Sequence, residues 1–124
     1  MPKWLLVVES TCLDPRREAE FHDWYDNVHV KDLFGIESRI TRATRYEVQQ
    51  VLKSTTGEKS RFLAMYEIEA DDLQPVLDRL GSEMPKLIAE GRMSPLMEST
   101  SRVFYRQIGS VENHSRKADA VRIN

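Results

Sequence analysis

His22 and His29 stand seven residues apart in the segment FHDWYDNVHVKDL, residues 21–33, interleaved with Asp23, Asp26, Asp32, Asn27 and the aromatics Trp24 and Tyr25. Histidine is the side chain that exchanges a proton near neutral pH without help from its surroundings. His29, near a helix end and beside large aromatics, has the parts of a general acid/base with an apolar wall. The competing role is a cap on the last helix carbonyls, where the dipole favours a cation. His22 reads either as a substrate contact or as a partly exposed partner of Asp26 at i+4. His22, Asp26 and His29 together carry the ligand types of a non-haem iron site. Three ligands from one straight helix converge poorly, however, and no metal is expected. Trp24 and Tyr25 either shape a pocket wall or fill the core, the Tyr25 hydroxyl needing a partner if buried.

Several elements must position these groups. Asp14-Pro15 is an N-cap followed by proline at the first helical position, and the spacing predicts a helix from there to about residues 28–30. At about 100° per residue, Phe21, Trp24, Tyr25 and Val28 share one buried stripe. His29 falls about 40° to the side of Tyr25 and His22 just beyond it, while Asp23 and Asn27 face solvent. Gly35 marks the end of the helical segment.

Residues 3–9 read as a first strand. Residues 36–48 read as a second, with Ile40, Arg42, Thr44, Tyr46 and Val48 on one face and Arg39, Thr41, Ala43 and Arg45 on the other. A polar hairpin loop at 53–59 leads to a third strand at 61–69, where Phe62, Ala64, Tyr66 and Ile68 oppose Leu63 and Met65. Asp71-Asp72 caps a second helix carrying Leu73, Val76, Leu77, Leu80, Met84, Leu87 and Ile88 at helical spacing. Gly81 and Pro85 are expected to bend or interrupt it. Residues 99–108, with Tyr105, form the last strand.

The order β-α-β-β-α-β is the split βαβ pattern of ferredoxin-like α+β proteins, a four-stranded antiparallel sheet with helices on one face. The third strand is not cleanly polar on either side, so both sheet faces need cover. For a chain of 124 residues, the cover for the second face is another copy, which predicts a homodimer.

Composition narrows the function. A net charge of −2 gives no electrostatic case for nucleic acid. The lone Cys12 excludes an internal disulfide and fits a reducing, cytoplasmic setting. The apolar run from Trp4 to Val8 is too short for a membrane span. One domain over 1–109 and a polar tail or arm over 110–124 are expected. The chain has no G-x-G-x-x-G, P-loop, C-x-x-C or H-E-x-x-H, so no cofactor is called for. Met84, Met93 and Met97 with Leu96 form an adaptable apolar patch, which either lines a greasy pocket or fills the core.

Trp24-Tyr25-Asp26-Asn27-Val28-His29, then Phe34-Gly35-Ile36 and the Arg42-x-x-Arg45-Tyr46 run, resemble the EthD-type branch of the dimeric α+β barrel superfamily. Lys31 departs from the proline usual in that branch. The resemblance implies a ferredoxin-like protomer and a homodimer whose sheets close an intermolecular barrel. Similar domains include cofactor-free cyclases, dehydratases and isomerases, antibiotic-type monooxygenases and accessory proteins of catabolic operons.

The expectation is a cofactor-independent isomerase, dehydratase or cyclase acting on a small aromatic, polyketide-like or lactone metabolite. His29 would move a proton beside a carbonyl, with Tyr46, Tyr66 or Arg42 holding the developing oxyanion. His22, Trp24, Tyr25, Arg42 and Tyr105 would contact the substrate. The alternatives are a non-catalytic dimeric protein that binds a small apolar metabolite for a pathway partner and, more weakly, a cofactorless monooxygenase.

Overall fold

The computed structural model describes residues 1–55 and 60–115; residues 56–59 of the expected hairpin loop and 116–124 of the expected tail lie outside them. The apolar run near the N-terminus becomes β1 (Lys3–Cys12), flanked by β3 (Phe62–Glu69) on one side and β4 (Met97–Arg106) on the other. β2 (Ile40–Glu47) pairs with the far edge of β3. The sheet order is therefore β2-β3-β1-β4, with every pairing antiparallel. This is the ferredoxin-like α+β architecture.

Asp14 starts the first helical segment as its sequence implies, its Oδ1 accepting the Arg16 N–H at 3.1 Å. A 3-10 turn, Pro15–Arg17, feeds α1 (Glu18–Trp24). A π-helical turn, Tyr25–His29, follows, in which the Val30 N–H reaches five residues back to the Tyr25 carbonyl. The rod then continues beyond residues 28–30 as α2 (Val30–Ile36), ending one residue after Gly35. With Lys31 rather than proline, the N–H needed to continue the helix is present.

The π turn changes what the segment buries. In a regular α-helix, residues four apart drift by about 40° per step. A wider i→i+5 turn takes up that drift. Phe21, Tyr25, His29 and Leu33 consequently fall in one line, with exposures of 0, 1, 5 and 5%. His29 is thus inside the buried stripe, whereas a uniform helix had placed it on the flank.

β2 begins four residues later than the alternation implied, because residues up to Ile36 are helical. An irregularity between Ile40 and Arg42 also breaks its alternation. Ile40 faces Ile68 while Ala43 and Arg45 face Tyr66 and Ala64, so Ile40 joins the helix-covered side. Arg42, Thr44 and Tyr46 remain on the other side.

Asp72 lies just ahead of α3 (Gln74–Ala89), whose N-cap is Leu73, and its Oδ1 accepts the Gln74 N–H at 3.0 Å. Gly81 and Pro85 do not interrupt this helix. It ends at Gly91, whose φ of 72° lets the Arg92 N–H turn back to the Leu87 carbonyl at 2.9 Å.

Phe21, Tyr25, Tyr66, Phe62 and Ile68 centre the core between the rod and the sheet. On the opposite sheet face, Leu5, Val7, Leu63, Met65 and Val103 form an apolar surface with no helix over it among the described residues. Among the described residues, no helix is long and apolar enough to cross a membrane.

Candidate functional site

Between α3 and the sheet lies a cleft of about 640 Å³, within the size range of small-molecule sites. Leu6, Val8, Tyr66 and Phe104 rise from the sheet, and Leu77, Leu80, Met84 and Ile88 face them from α3. His29 and Leu33 form the inner wall, and the flexible side chains of Met84, Met93 and Met97 complete an adaptable lining. Leu96 is buried in the core instead. Gly81 and Pro85 also line the cleft. Proline offers no N–H to the Gly81 carbonyl four residues back, so the helix gives up one backbone bond at this wall.

The His29 ring stacks on Trp24 at 4.8 Å and 18° and meets the Tyr25 ring edge-on at 5.1 Å. Trp24 is itself fixed, its Nε1–H donating to the Arg92 carbonyl at 2.8 Å. The Arg92 guanidinium in turn forks onto Asp32 at 3.0 and 2.9 Å. The loop after α3 is thereby tied to the rod that carries His29.

His29 Nδ1 is sealed from solvent and, among the described residues, has no hydrogen-bond partner. Burial pushes the imidazole pKa down to about 4, with Asp32 opposing that shift and Arg45 adding to it. The ring is therefore neutral at pH 7. A neutral ring followed by seven more helical residues is not a cationic helix cap.

Arg45 organises the other histidine. Its guanidinium donates to Asp26 Oδ1 at 3.0 Å and to His22 Nδ1 at 3.0 Å. Arginine only donates, so His22 Nδ1 is the unprotonated nitrogen. Arg45 also lies 4.2 Å from the Tyr25 ring centroid, and its side chain is only 15% exposed. His22 and Asp26 therefore meet through Arg45 and not directly as the i+4 spacing implied.

Across the core, the Tyr66 hydroxyl donates to that of Tyr25 at 3.4 Å. Burial pushes both phenols up, and Tyr25 pushes Tyr66 further, so both are neutral donors at physiological pH. Among the described residues, no group of three or more His, Cys, Asp or Glu side chains is placed to hold a metal ion.

The sheet separates the remaining candidates from His29 and Tyr66. Arg42 is exposed, 3.7 Å from Glu67. Tyr46 and Tyr105, at 54 and 52% exposure, flank a shallow pocket of about 370 Å³ on the outer face. Within one protomer, Arg42, Tyr46 and Tyr105 cannot serve the His29 cleft. The cation on the helix side is Arg45, which alternation with Ala43 had placed opposite Arg42. Arg102, on the cleft wall, carried no comparable signal, because its significance depends on α3 lying across from it.

A ferredoxin-like α+β fold is what these elements define, and structural comparison bears this out. The chain is similar to HapK from Hahella chejuensis, with a TM-score of 0.59 and 13% identity over 89% of this chain and 97% of that one. It is also similar to a dimeric ferredoxin-like protein from an uncultured marine organism, with a TM-score of 0.59 and 14% identity over 90 and 100% of the two chains. An EthD-like protein from Ralstonia eutropha aligns with a TM-score of 0.55 and 14% identity over 94% of this chain and 99% of that one. No family model matches the sequence, and comparison with curated proteins gives no match.

Proposed function

We propose that the protein is a cofactor-independent enzyme of isomerase, dehydratase or cyclase type. It binds a small aromatic, polyketide-like or lactone metabolite in the α3 cleft. His29 is the proton carrier. The observation that carries this reading is a buried, neutral imidazole on the wall of an apolar, ligand-sized cleft. With Nδ1 sealed, the proton moves through Nε2. Tyr66, a neutral phenol lining the same cleft, becomes the donor for a developing oxyanion on releasing its bond to the Tyr25 hydroxyl. Trp24 and Tyr25 brace the imidazole from outside the cleft lining, and Arg45 holds His22 on the far side of Tyr25. His29→Ala is expected to lose at least about 100-fold in turnover on the metabolite the cleft accepts. Unchanged turnover in a folded variant overturns the acid/base role.

One observation favours the non-catalytic alternative. General bases are commonly oriented by a third group, and among the described residues His29 Nδ1 has no hydrogen-bond partner to orient the ring. Binding without product formation would assign the cleft to carriage of the metabolite.

The same reading makes the protein a homodimer joined through the outer sheet face. Leu5, Val7, Leu63, Met65 and Val103 give that face the apolar surface a sheet-to-sheet contact requires. Val7 lies at its centre, opposite Met65 on one side and Val103 on the other. Val7→Glu should halve the mass measured by light scattering and leave the far-UV spectrum unchanged. A mass unaffected by the substitution places the interface elsewhere.

A further inference from the structure

We propose that the cleft takes an apolar acid, an aromatic or aliphatic body ending in a carboxylate, and that Arg102 holds the carboxylate. This rests on the reading of the cleft as the ligand site, and it names the ligand's charge. Among the described residues no Asp or Glu lines the cleft, and Arg102 is its only charged side chain at neutral pH. Arg102 faces Val8 across the β1–β4 pairing, two residues before Phe104 faces Leu6, so it rises from the same face as the apolar floor. Among the described residues it makes no hydrogen bond or ion pair.

The remaining polar groups fit an anion as well. Ser99 lines the cleft, and Ser94 accepts the Leu96 N–H at 3.1 Å, which leaves its hydroxyl proton free to donate. A planar guanidinium without a carboxylate partner recognises an incoming carboxylate through paired, charge-assisted bonds. A cationic ligand would be repelled, and a neutral one would leave Arg102 to water. The apolar body then lies against Leu80, Met84 and Phe104, where burial supplies the affinity.

The test compares 2-naphthoate with 2-naphthamide, isosteric apart from charge, by calorimetric titration of the full chain at low salt. Wild type should bind the acid about tenfold more tightly than the amide. The preference should shrink as salt rises, because Arg102 is exposed. R102Q should abolish the preference while leaving amide affinity unchanged, and R102K should keep part of it. Gly81→Met, which grows from a Cβ position with no atom within 4 Å into the cleft, should weaken both probes alike.

Equal binding of acid and amide by wild type, or a preference that survives R102Q, overturns the acid specificity and leaves the cleft as a ligand site. Binding of neither probe, or binding untouched by Gly81→Met, overturns both the specificity and the reading on which it rests.

Discussion

Replacing His29 with phenylalanine is expected to flatten the acid limb of the stability–pH profile. In the unfolded chain the imidazole takes its proton near pH 6.5, whereas in the folded protein burial delays this to about pH 4. Between those values the unfolded state binds the extra proton, so folding stability falls as the pH falls. Above pH 6.5 both states hold a neutral ring and the contribution is fully present. The loss accumulated by pH 4 amounts to about 3 kcal/mol.

Carboxylates that titrate over the same range are common to both proteins and cancel in the difference. Phenylalanine keeps a flat ring against Trp24 and removes the titration. Urea unfolding of wild type and His29→Phe at pH 7 and pH 4.5 measures the effect, the variant gaining relative to wild type on acidification. Parallel profiles would mean that His29 is not neutral and buried, and the proton-transfer role would lose its physical basis.

Phe21→Ala should be the most damaging single truncation of the α1 face, costing about 3–5 kcal/mol. The ring is fully buried, 5.7 Å from Tyr25 and 5.8 Å from Phe62, with the Arg45 guanidinium 5.7 Å away. Little around it can collapse into the space. The strands behind it are hydrogen-bonded, and Tyr25 is pinned under Arg45. A loss of this size is a large share of the 5–15 kcal/mol that holds a typical domain together. Phe21→Leu, which refills much of the volume, should cost clearly less in the same denaturant titration. A loss below about 1 kcal/mol for the alanine variant would show that the site repacks.

The fold was legible because its signals are local and repetitive. Phe62, Ala64, Tyr66 and Ile68 alternate cleanly, α3 keeps its helical spacing, and Asp14-Pro15 announces a helix start. Two features escaped because each breaks a period that sequence reading assumes. A bulge at Thr41 carries Ile40 to the other sheet face, and the π turn carries His29 into the core stripe. Neither has a residue signature of its own, since tertiary alignment rewards both. The candidate site was half legible for the same reason. His29 and Tyr66 announce themselves by type, and the methionines by adaptability. Arg102 acquires its meaning only when a distant helix closes the cleft over it.

The π turn also fixes the helix in phase. Relative to a plain α-helix it amounts to one surplus residue lodged between Trp24 and Val30. The segments before and after it are each regular, yet they keep a common buried side only because of that surplus. Straightening the turn into plain α-helix with every residue kept would rotate everything downstream by about 100°. Leu33 would leave the core, and Asp32 would lose its line to Arg92. Deleting one residue from the turn would instead remove the surplus and keep Leu33 and Asp32 in phase, so this stretch tolerates a single deletion better than a straightening at full length.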